Sequence, residues 1–164
     1  LRGTGHRLAS LRASETDLNP LPGAVGWPEG DDAAVVAKRI LHAANDLLDE
    51  RTAALLANTY GMRGLDIAES VAADPSLAEP LIAGRPEIAA QVIWGVEREL
   101  ACTVSDIMIR RTQLYYRDVN QGLDAVDVVA ALMKPRLGWT KKAMTLSCKA
   151  YREEVERSRS WRAE

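Results

Sequence analysis

Two glutamates in the middle of the chain, Glu97 and Glu99, are of the residue type that acid–base chemistry uses. Side chains two residues apart on a helix point in different directions, so these carboxylates do not share one site. A helix turns by about 100° per residue, which places Glu99 beside Ile88 and Val92 at the edge of an apolar stripe. Glu97 lies off the other side of that stripe. We therefore predict that Glu99 is half-buried and needs a partner.

Two consecutive arginines, Arg110 and Arg111, follow in the next predicted helix. The same helical phase puts Arg111 in the centre of an apolar stripe and Arg110 on the polar side with Asp106. An arginine on an apolar stripe either faces a ligand or is a core residue that pairs with a carboxylate. We favour the second interpretation and predict Glu99 as the partner.

The histidines and cysteines are isolated from one another. His42 lies among apolar residues of a predicted helix, which is typical of a packing or surface position. Cys102 and Cys148 have no C-x-x-C spacing, and His6 and His42 are distant from both. The pattern predicts no zinc site and two reduced, structural thiols.

Three sequence motifs that carry catalysis are missing. The chain has no G-x-G-x-x-G between a strand and a helix and no G-x-x-x-x-G-K-[ST] loop for phosphate. It also has no G-x-S-x-G motif and no Cys/His pairing that would activate a nucleophile. We therefore expect no catalysis by this chain alone.

The composition and the net charge indicate a single domain and bear on its location. The 164 residues are 47% hydrophobic and 27% charged, which is enough apolar material for a single core. A formal net charge of -2 argues against non-specific binding to nucleic acid or anionic lipid. No apolar window reaches the length of about 18 residues that a membrane span needs, and the first residues do not have the layout of a signal peptide. The expected location is the cytoplasm.

The last 31 residues differ in charge from the rest. Residues 134–164 contain nine Lys and Arg against four Glu. Such a run is usually a solvated helix face, and docking to a partner or to a membrane surface is the alternative.

Residues 1–30 and 31–164 differ in their predicted structure. The first segment holds five glycines and three prolines, which predicts an extended linker. From Asp31 and Asp32, which can cap a helix, apolar residues recur at three-to-four spacing in an alanine-rich background. No run of period two is present, so the chain is predicted to be all-α, an irregular bundle of about six to seven helices.

Caps and chain breakers set the predicted helix ends. Pro86 suits a first helical position, Thr103 with Asp106 forms a short capping box, and Pro135 with Gly138 separates the last two helices. After a first helix that includes residues 35–48, the predicted helices cover about residues 50–60, 63–73, 86–101, 103–115, 119–133 and 140–159.

Several strings together resemble one family. They are Asn58-Thr59-Tyr60-Gly61, Val96-Glu97-Arg98-Glu99, Ala101-x-Thr103-x-x-Asp106-x-x-x-Arg110-Arg111-Thr112 and Leu137-Gly138-Trp139. The chain resembles, over about residues 20–155, the C-terminal helical domain of FAD-dependent glycerol-3-phosphate dehydrogenases and alpha-glycerophosphate oxidases. Its segment Leu21-Pro22-Gly23-Ala24 is similar to the one that leads from the family's flavin domain into the helical domain.

The chain departs from the family at identifiable points. Asn58 stands where many members have arginine, and Gln91 stands where a glutamate is common. The glycine-rich dinucleotide fold, the substrate-binding sheet and the late Gly-Gly-Lys segment of the family do not occur in these 164 residues. The resemblance therefore implies a terminal domain, with the flavin-binding residues outside it.

The resemblance implies a parent enzyme that oxidises sn-glycerol 3-phosphate to dihydroxyacetone phosphate. Hydride would pass to FAD and electrons onward to quinone or oxygen. It implies for residues 31–164 a non-catalytic cap, with no cofactor of its own, that packs on the flavin domain of the same polypeptide. It also allows a homo-oligomer and a parent that is peripheral on the cytoplasmic membrane face. The residues we assign to structural or interface roles are Tyr60, Glu99, Asp106, Arg110, Arg111 and Trp139.

Two alternatives remain at the level of sequence. A stand-alone helical interaction module would need a partner for an exposed apolar patch. A helix-turn-helix DNA-binding domain is suggested by the short Cys102-Thr103 junction and the pair Arg110-Arg111. The acidic pI of about 5.8 counts against DNA binding, so we expect no nucleic-acid partner.

Overall fold

In this computed structural model the described residues are 18–30 and 32–163. Within them the chain forms seven α-helices, one π-helix and short 3₁₀ turns, and the one β-type contact is an isolated bridge between Pro80 and Ile88. The predicted all-α class is confirmed. The α-helices are α1 (Ala33–Ala43), α2 (Glu50–Tyr60), α3 (Gly64–Ala73), α4 (Ala89–Glu99), α5 (Leu114–Arg117), α6 (Val126–Leu137) and α7 (Lys141–Arg159), and the π-helix is Asp106–Arg111.

Helix starts follow the capping residues. The Asp32 carboxylate accepts a hydrogen bond from the Ala34 N–H at the start of α1. The Asp49 carboxylate and the Thr140 hydroxyl do the same for the third residues of α2 and α7. Each cap satisfies a backbone donor that has no partner inside the helix. The predicted bounds of α2 are confirmed, and those of α7 are right to within one residue.

Two predicted helix ends are wrong where the chain makes loops. The first helix ends at Ala43 and does not include residues 44–48. Helix α4 begins at Ala89, not at Pro86, because residues 79–89 close into a hairpin-shaped loop. In that loop the Leu81 N–H donates to the Glu87 carbonyl, and the Ala89 N–H donates to the Glu79 carbonyl.

The sixth predicted helix is displaced along the chain. It covers residues 126–137 instead of 119–133, because the Asp118 carboxylate accepts bonds from backbone N–H groups at residues 120 and 122 and so holds that segment in a turn. Pro135 lies inside the last turn of α6, where it removes only one backbone donor. The helix ends at Gly138, whose left-handed backbone (φ +62°) is the cap.

The apolar core consists of two clusters that meet at α4. The first packs α1, α2 and α3 against the start of α4, and Ile40 and Leu56 in it are fully buried. The second packs α6 and α7 against the π-helix and the other side of α4, with Met133 and Tyr151 fully buried. Because α4 contributes to both clusters, it is the element that holds the bundle together.

The described part of the predicted linker forms turns that rest on the bundle. The Gly23 carbonyl accepts a 2.8 Å hydrogen bond from the Met62 N–H, and Trp27 packs against the first core cluster. Residues 18–30 are therefore docked turns and not an extended segment. Residues 1–17 of the predicted linker, and Asp31, lie outside the described residues. Across the described residues, no helix combines the length and apolarity that crossing a bilayer requires.

Candidate functional site

A cleft of about 760 Å³ lies between the N-terminal turn, the end of α2 and the second half of α4. Its lining includes Trp27, Trp94, Arg98, Glu99 and the buried Tyr60. The remaining lining residues are Leu21, Gly23, Ala24, Ala33, Ala57, Asn58, Thr59, Gly61 and Arg63. The string Asn58-Thr59-Tyr60-Gly61 that the resemblance singles out thus lies in one cleft.

The N-terminal turn is held at this cleft by a close approach of two glycines. Gly61 has φ +59° and ψ -137°, a backbone conformation that residues with a Cβ atom rarely adopt. A Cβ on Gly61 would collide with the Gly23 carbonyl, and a Cβ on Gly23 would come within 2.7 Å of the Tyr60 carbonyl. Gly61 therefore both ends α2 and admits the turn that carries Leu21 to the cleft.

Tyr60 is positioned by Gln91 from the neighbouring helix. The Gln91 side-chain amide donates to the Tyr60 hydroxyl at 3.3 Å, and its carbonyl oxygen accepts the Ile88 N–H at 3.0 Å. Burial raises the pKa of Tyr60 to about 12, and the nearby Glu99 carboxylate adds to this increase. The hydrogen bond from Gln91 and the positive charge of Arg111 both act in the opposite direction. Tyr60 is therefore a protonated, structural hydroxyl at neutral pH.

Glu99 and Arg111 are brought together as an ion pair. The Arg111 Nε lies 3.4 Å from the Glu99 Oε2, and the Arg111 Nη2 donates to the Glu99 carbonyl at 2.6 Å. The two side chains are 24% and 37% exposed respectively, so Glu99 is half-buried as predicted. Arg111 is not the core residue that we expected.

The π-helix explains the error for Arg111. The Thr112 N–H donates to the Ile107 carbonyl five residues earlier, which widens the turn relative to an α-helix. The prediction used the α-helical period and so carried Arg111 into the stripe of Ile107 and Met108. With the wider turn, those two residues are fully buried and Arg111 lies at the edge.

Asp106 and Arg110 form a separate capping arrangement. The Asp106 carboxylate accepts bonds from the Thr103 hydroxyl and from the N–H groups of Cys102 and Thr103, and Arg110 pairs with it at 3.0 Å. Partial burial opposes ionisation of Asp106, yet these bonds together keep the pKa of Asp106 below its usual value. The predicted Thr103–Asp106 box and the polar position of Arg110 are confirmed, and neither Asp106 nor Arg110 lines the cleft.

Trp139 is also outside the cleft. It is half-buried against the second core cluster, directly after the Gly138 cap of α6. Two arginines that the prediction left out lie at the cleft instead. The Arg63 guanidinium sits 5.2 Å from the centre of the Trp94 ring, a cation–π contact, and Arg98 follows on the same helix as Trp94.

The most buried ion pair was missed by sequence reasoning. Arg85 binds both carboxylate oxygens of Glu87 at 3.0 Å, and the Glu87 side chain is only 1% exposed. Arg85 also donates to the Arg117 carbonyl at 2.8 Å, which ties the loop before α4 to α5. The hydrogen bonds that Arg85 donates to the Glu87 carboxylate raise the pKa of Arg85. One available signal was that Glu87 directly precedes the apolar run at the start of α4.

The residues that suggested a helix-turn-helix do not form one. The second helix of the supposed helix-turn-helix is the six-residue π-helix followed by the four-residue α5, so no regular recognition helix is present there. Arg110 and Arg111 are both engaged in ion pairs within the domain.

Cys148 is buried and Cys102 is exposed, so only Cys148 has the packing position that we predicted for both thiols. Over residues 18–30 and 32–163, no three His, Cys, Asp or Glu side chains cluster as metal ligands.

Comparison with known sequences gives a consistent set of relatives. Residues 14–144 match the family described as the C-terminal domain of alpha-glycerophosphate oxidase. A glycerol-3-phosphate dehydrogenase of Synechocystis sp. is 30% identical over 143 residues, which are 87% of this chain and 25% of that protein. The probable mitochondrial glycerol-3-phosphate dehydrogenase of Dictyostelium discoideum is 35% identical over 95 residues, 58% of this chain and 15% of its own length.

The human mitochondrial glycerol-3-phosphate dehydrogenase is 31% identical over 96 residues, 56% of this chain and 13% of that protein. The chain therefore spans a quarter or less of the length of these relatives. No solved structure matches the chain.

Proposed function

Because the chain belongs to the family of C-terminal domains of alpha-glycerophosphate oxidase, we propose that it is the non-catalytic helical cap of an FAD-dependent glycerol-3-phosphate dehydrogenase. The observation that carries the proposal is the match over residues 14–144, together with dehydrogenase relatives of which the matched part is a quarter or less. The parent enzyme would oxidise sn-glycerol 3-phosphate to dihydroxyacetone phosphate, and electrons would leave through quinone or oxygen.

The residues of the cleft do not fit a flavin dinucleotide. A dinucleotide pyrophosphate is usually held by a glycine-rich turn at the start of a helix that follows a strand. Over the described residues no strand is present, and the glycines at the cleft serve the contact between residues 23 and 61. The FAD would therefore be held by the preceding part of the parent polypeptide, and the cap would contribute packing.

The polar groups of the cap have structural tasks that agree with this role. Tyr60 and Gln91 hold the start of α4 against the end of α2, and Glu99 with Arg111 joins α4 to the π-helix. A protonated Tyr60 with a pKa of about 12 is a poor general base at neutral pH. The proposal also includes a cytoplasmic location and, for the parent enzyme, a peripheral position on the membrane.

Spectroscopy and dye reduction test the proposal. The purified 164-residue chain is expected to show no flavin absorption band and no dye reduction with sn-glycerol 3-phosphate. A longer polypeptide that contains the chain is expected to show both. A flavin band in the short chain would contradict the proposal. An upstream coding sequence without a flavin fold would contradict it as well, and would favour a stand-alone interaction module.

A further inference from the structure

We propose that the cleft between α2 and α4, with the N-terminal turn at its rim, is the surface on which the flavin domain of the same polypeptide docks, and that Arg63 and Arg98 face carboxylates of that domain. This inference rests on the proposed function, which states only that the cap packs on the flavin domain. It adds the face of the cap and the chemistry of the contact.

The path of the chain places the partner beside this cleft. In relatives that contain a C-terminal domain of this family, the rest of the polypeptide precedes the domain. Residues 18–30 are the described part of that connection, and Leu21, Gly23 and Trp27 in it line the cleft. A domain attached through a short, docked segment has a high effective concentration at the surface where the segment lies.

Apolar side chains are left exposed at the rim. Leu21 is 79% exposed on the N-terminal turn, and Leu100, next to the cleft residue Glu99, is 85% exposed. Leu100 also has a left-handed backbone (φ +59°), an unusual conformation for a leucine that turns the chain at the end of α4. Leu21 lines the cleft, and Leu100 directly follows the lining residue Glu99, so a domain docked at the cleft would cover both side chains.

The charges at the cleft complement an acidic partner. Arg98 is exposed and pairs with no carboxylate among the described residues, although the chain carries a formal net charge of -2. Arg63 stacks on Trp94 and has only a long, 3.9 Å contact with Asp66. A guanidinium group binds a carboxylate well, because it can donate two parallel hydrogen bonds.

A smaller groove on another face of the domain lacks these features. It lies between α6 and α7 and has a volume of about 450 Å³. Both of its arginine and lysine side chains are already paired, Arg152 with Asp127 at 2.8 Å and Lys149 with Glu153 at 3.6 Å. A docked domain there would have to break ion pairs, whereas the cleft offers an unpaired arginine.

Covalent footprinting of the full-length parent enzyme tests which face is covered. Without a docked domain, Leu21, Leu100, Val119 and Leu146 would all label, because they are 56–99% exposed. We expect Leu21 and Leu100 to label at least about fivefold less than Val119 and Leu146. If Val119 and Leu146 are protected while Leu21 and Leu100 are labelled, this inference is overturned and the cap role stays intact. Labelling of all four would overturn this inference, whereas the cap role is tested separately by the flavin band and dye reduction.

A charge reversal tests the carboxylate contact in the same full-length enzyme. Arg98→Glu should speed proteolytic cleavage within residues 18–30 about tenfold, because repulsion at the cleft releases the connecting segment. Lys142→Glu, a reversal of the same sign at an exposed position of α7, is the matched control and should leave the rate unchanged. Equal rates for Arg98→Glu and the unmodified enzyme would overturn the carboxylate contact.

Discussion

The two ends of α4 hold the same types of charged residue in very different surroundings. Before the helix, Glu87 is 1% exposed and is held by both a bidentate arginine and a closed loop. After the helix, Glu99 is 24% exposed and meets Arg111 at the edge of the cleft. Glu87 is the more buried of the two because the loop that carries Arg85 closes over it, and Arg85 ties that loop to α5 by donating to the Arg117 carbonyl.

The backbone at the two ends differs in the same way. At the first end Gln91 reaches back to the Ile88 N–H and also contacts Tyr60, so the helix start is connected to α2. At the second end Leu100 takes a left-handed conformation and leaves its side chain in solvent. We therefore expect the first end to control stability and the second to control how the domain meets a partner.

The largest expected effect is at Glu87. Glu87→Gln removes one charge of a buried pair and leaves Arg85 without its counter-charge, which should lower the free energy of unfolding by about 3 kcal/mol. The control is Glu97→Gln, because Glu97 is 52% exposed in its pair with Arg136 and should cost about 0 to 1 kcal/mol. Denaturant melts of the two variants measure the loss in free energy of unfolding. Equal losses would show that the two ends of α4 do not differ.

Gln91 should come next. Gln91→Met keeps the side chain about the same size but leaves the buried Ile88 N–H without an acceptor, at a cost of about 1 to 3 kcal/mol in the same melts. Tyr60→Phe removes only the hydroxyl that accepts from the Gln91 amide, so its cost should be smaller than that of Gln91→Met. The reverse order would mean that Tyr60 and not the helix start is the anchor.

A pH dependence should single out Tyr60. Its pKa is raised by burial from 10 in the unfolded chain to about 12, so folding favours the protonated hydroxyl. The stabilisation is fully present below pH 10 and is lost as the pH rises from about 10 to about 12. Melts across that range should show a smaller loss of stability in Tyr60→Phe than in the exposed control Tyr116→Phe. Parallel curves would refute the assignment.

The smallest effect is expected at the second end of α4. Glu99→Gln and Arg111→Met, alone and together, should show a coupling energy of about 0 to 1 kcal/mol, because the side chains are 24% and 37% exposed even though the paired Oε2 and Nε atoms are buried. A coupling above about 3 kcal/mol would be the behaviour of a buried pair. It would mean that the pair is covered and that the two ends of α4 are alike.

Local signals in the sequence were sufficient for much of the fold. Asp49 and Thr140 each start a helix at the expected place, and the Thr103–Asp106 box closes as predicted. These contacts join residues at most three apart, so short-range chemistry decides them. The Glu99–Arg111 contact was also found, because the junction between their helices is short.

The errors occur where distant segments change the local period. The π-helix moved Arg111 out of the core, and the closed loop before α4 removed Pro86 from the helix start. The cleft joins the N-terminal turn to α2 and α4, and no spacing in the sequence indicates that Trp27, Tyr60 and Trp94 share it. A family resemblance singled out Tyr60, but only the fold shows what surrounds it.

Patterns in the sequence predicted the all-α class, the caps, the polar position of Arg110 and the family to which the chain belongs. The burial of the Arg85–Glu87 pair and the set of residues that line the cleft are visible only in the folded chain. The two groups of features differ in the range of the interactions that produce them. Helix periodicity and capping act within a few residues, whereas burial depends on segments about 30 residues apart, such as Arg85 and Arg117, that meet after folding.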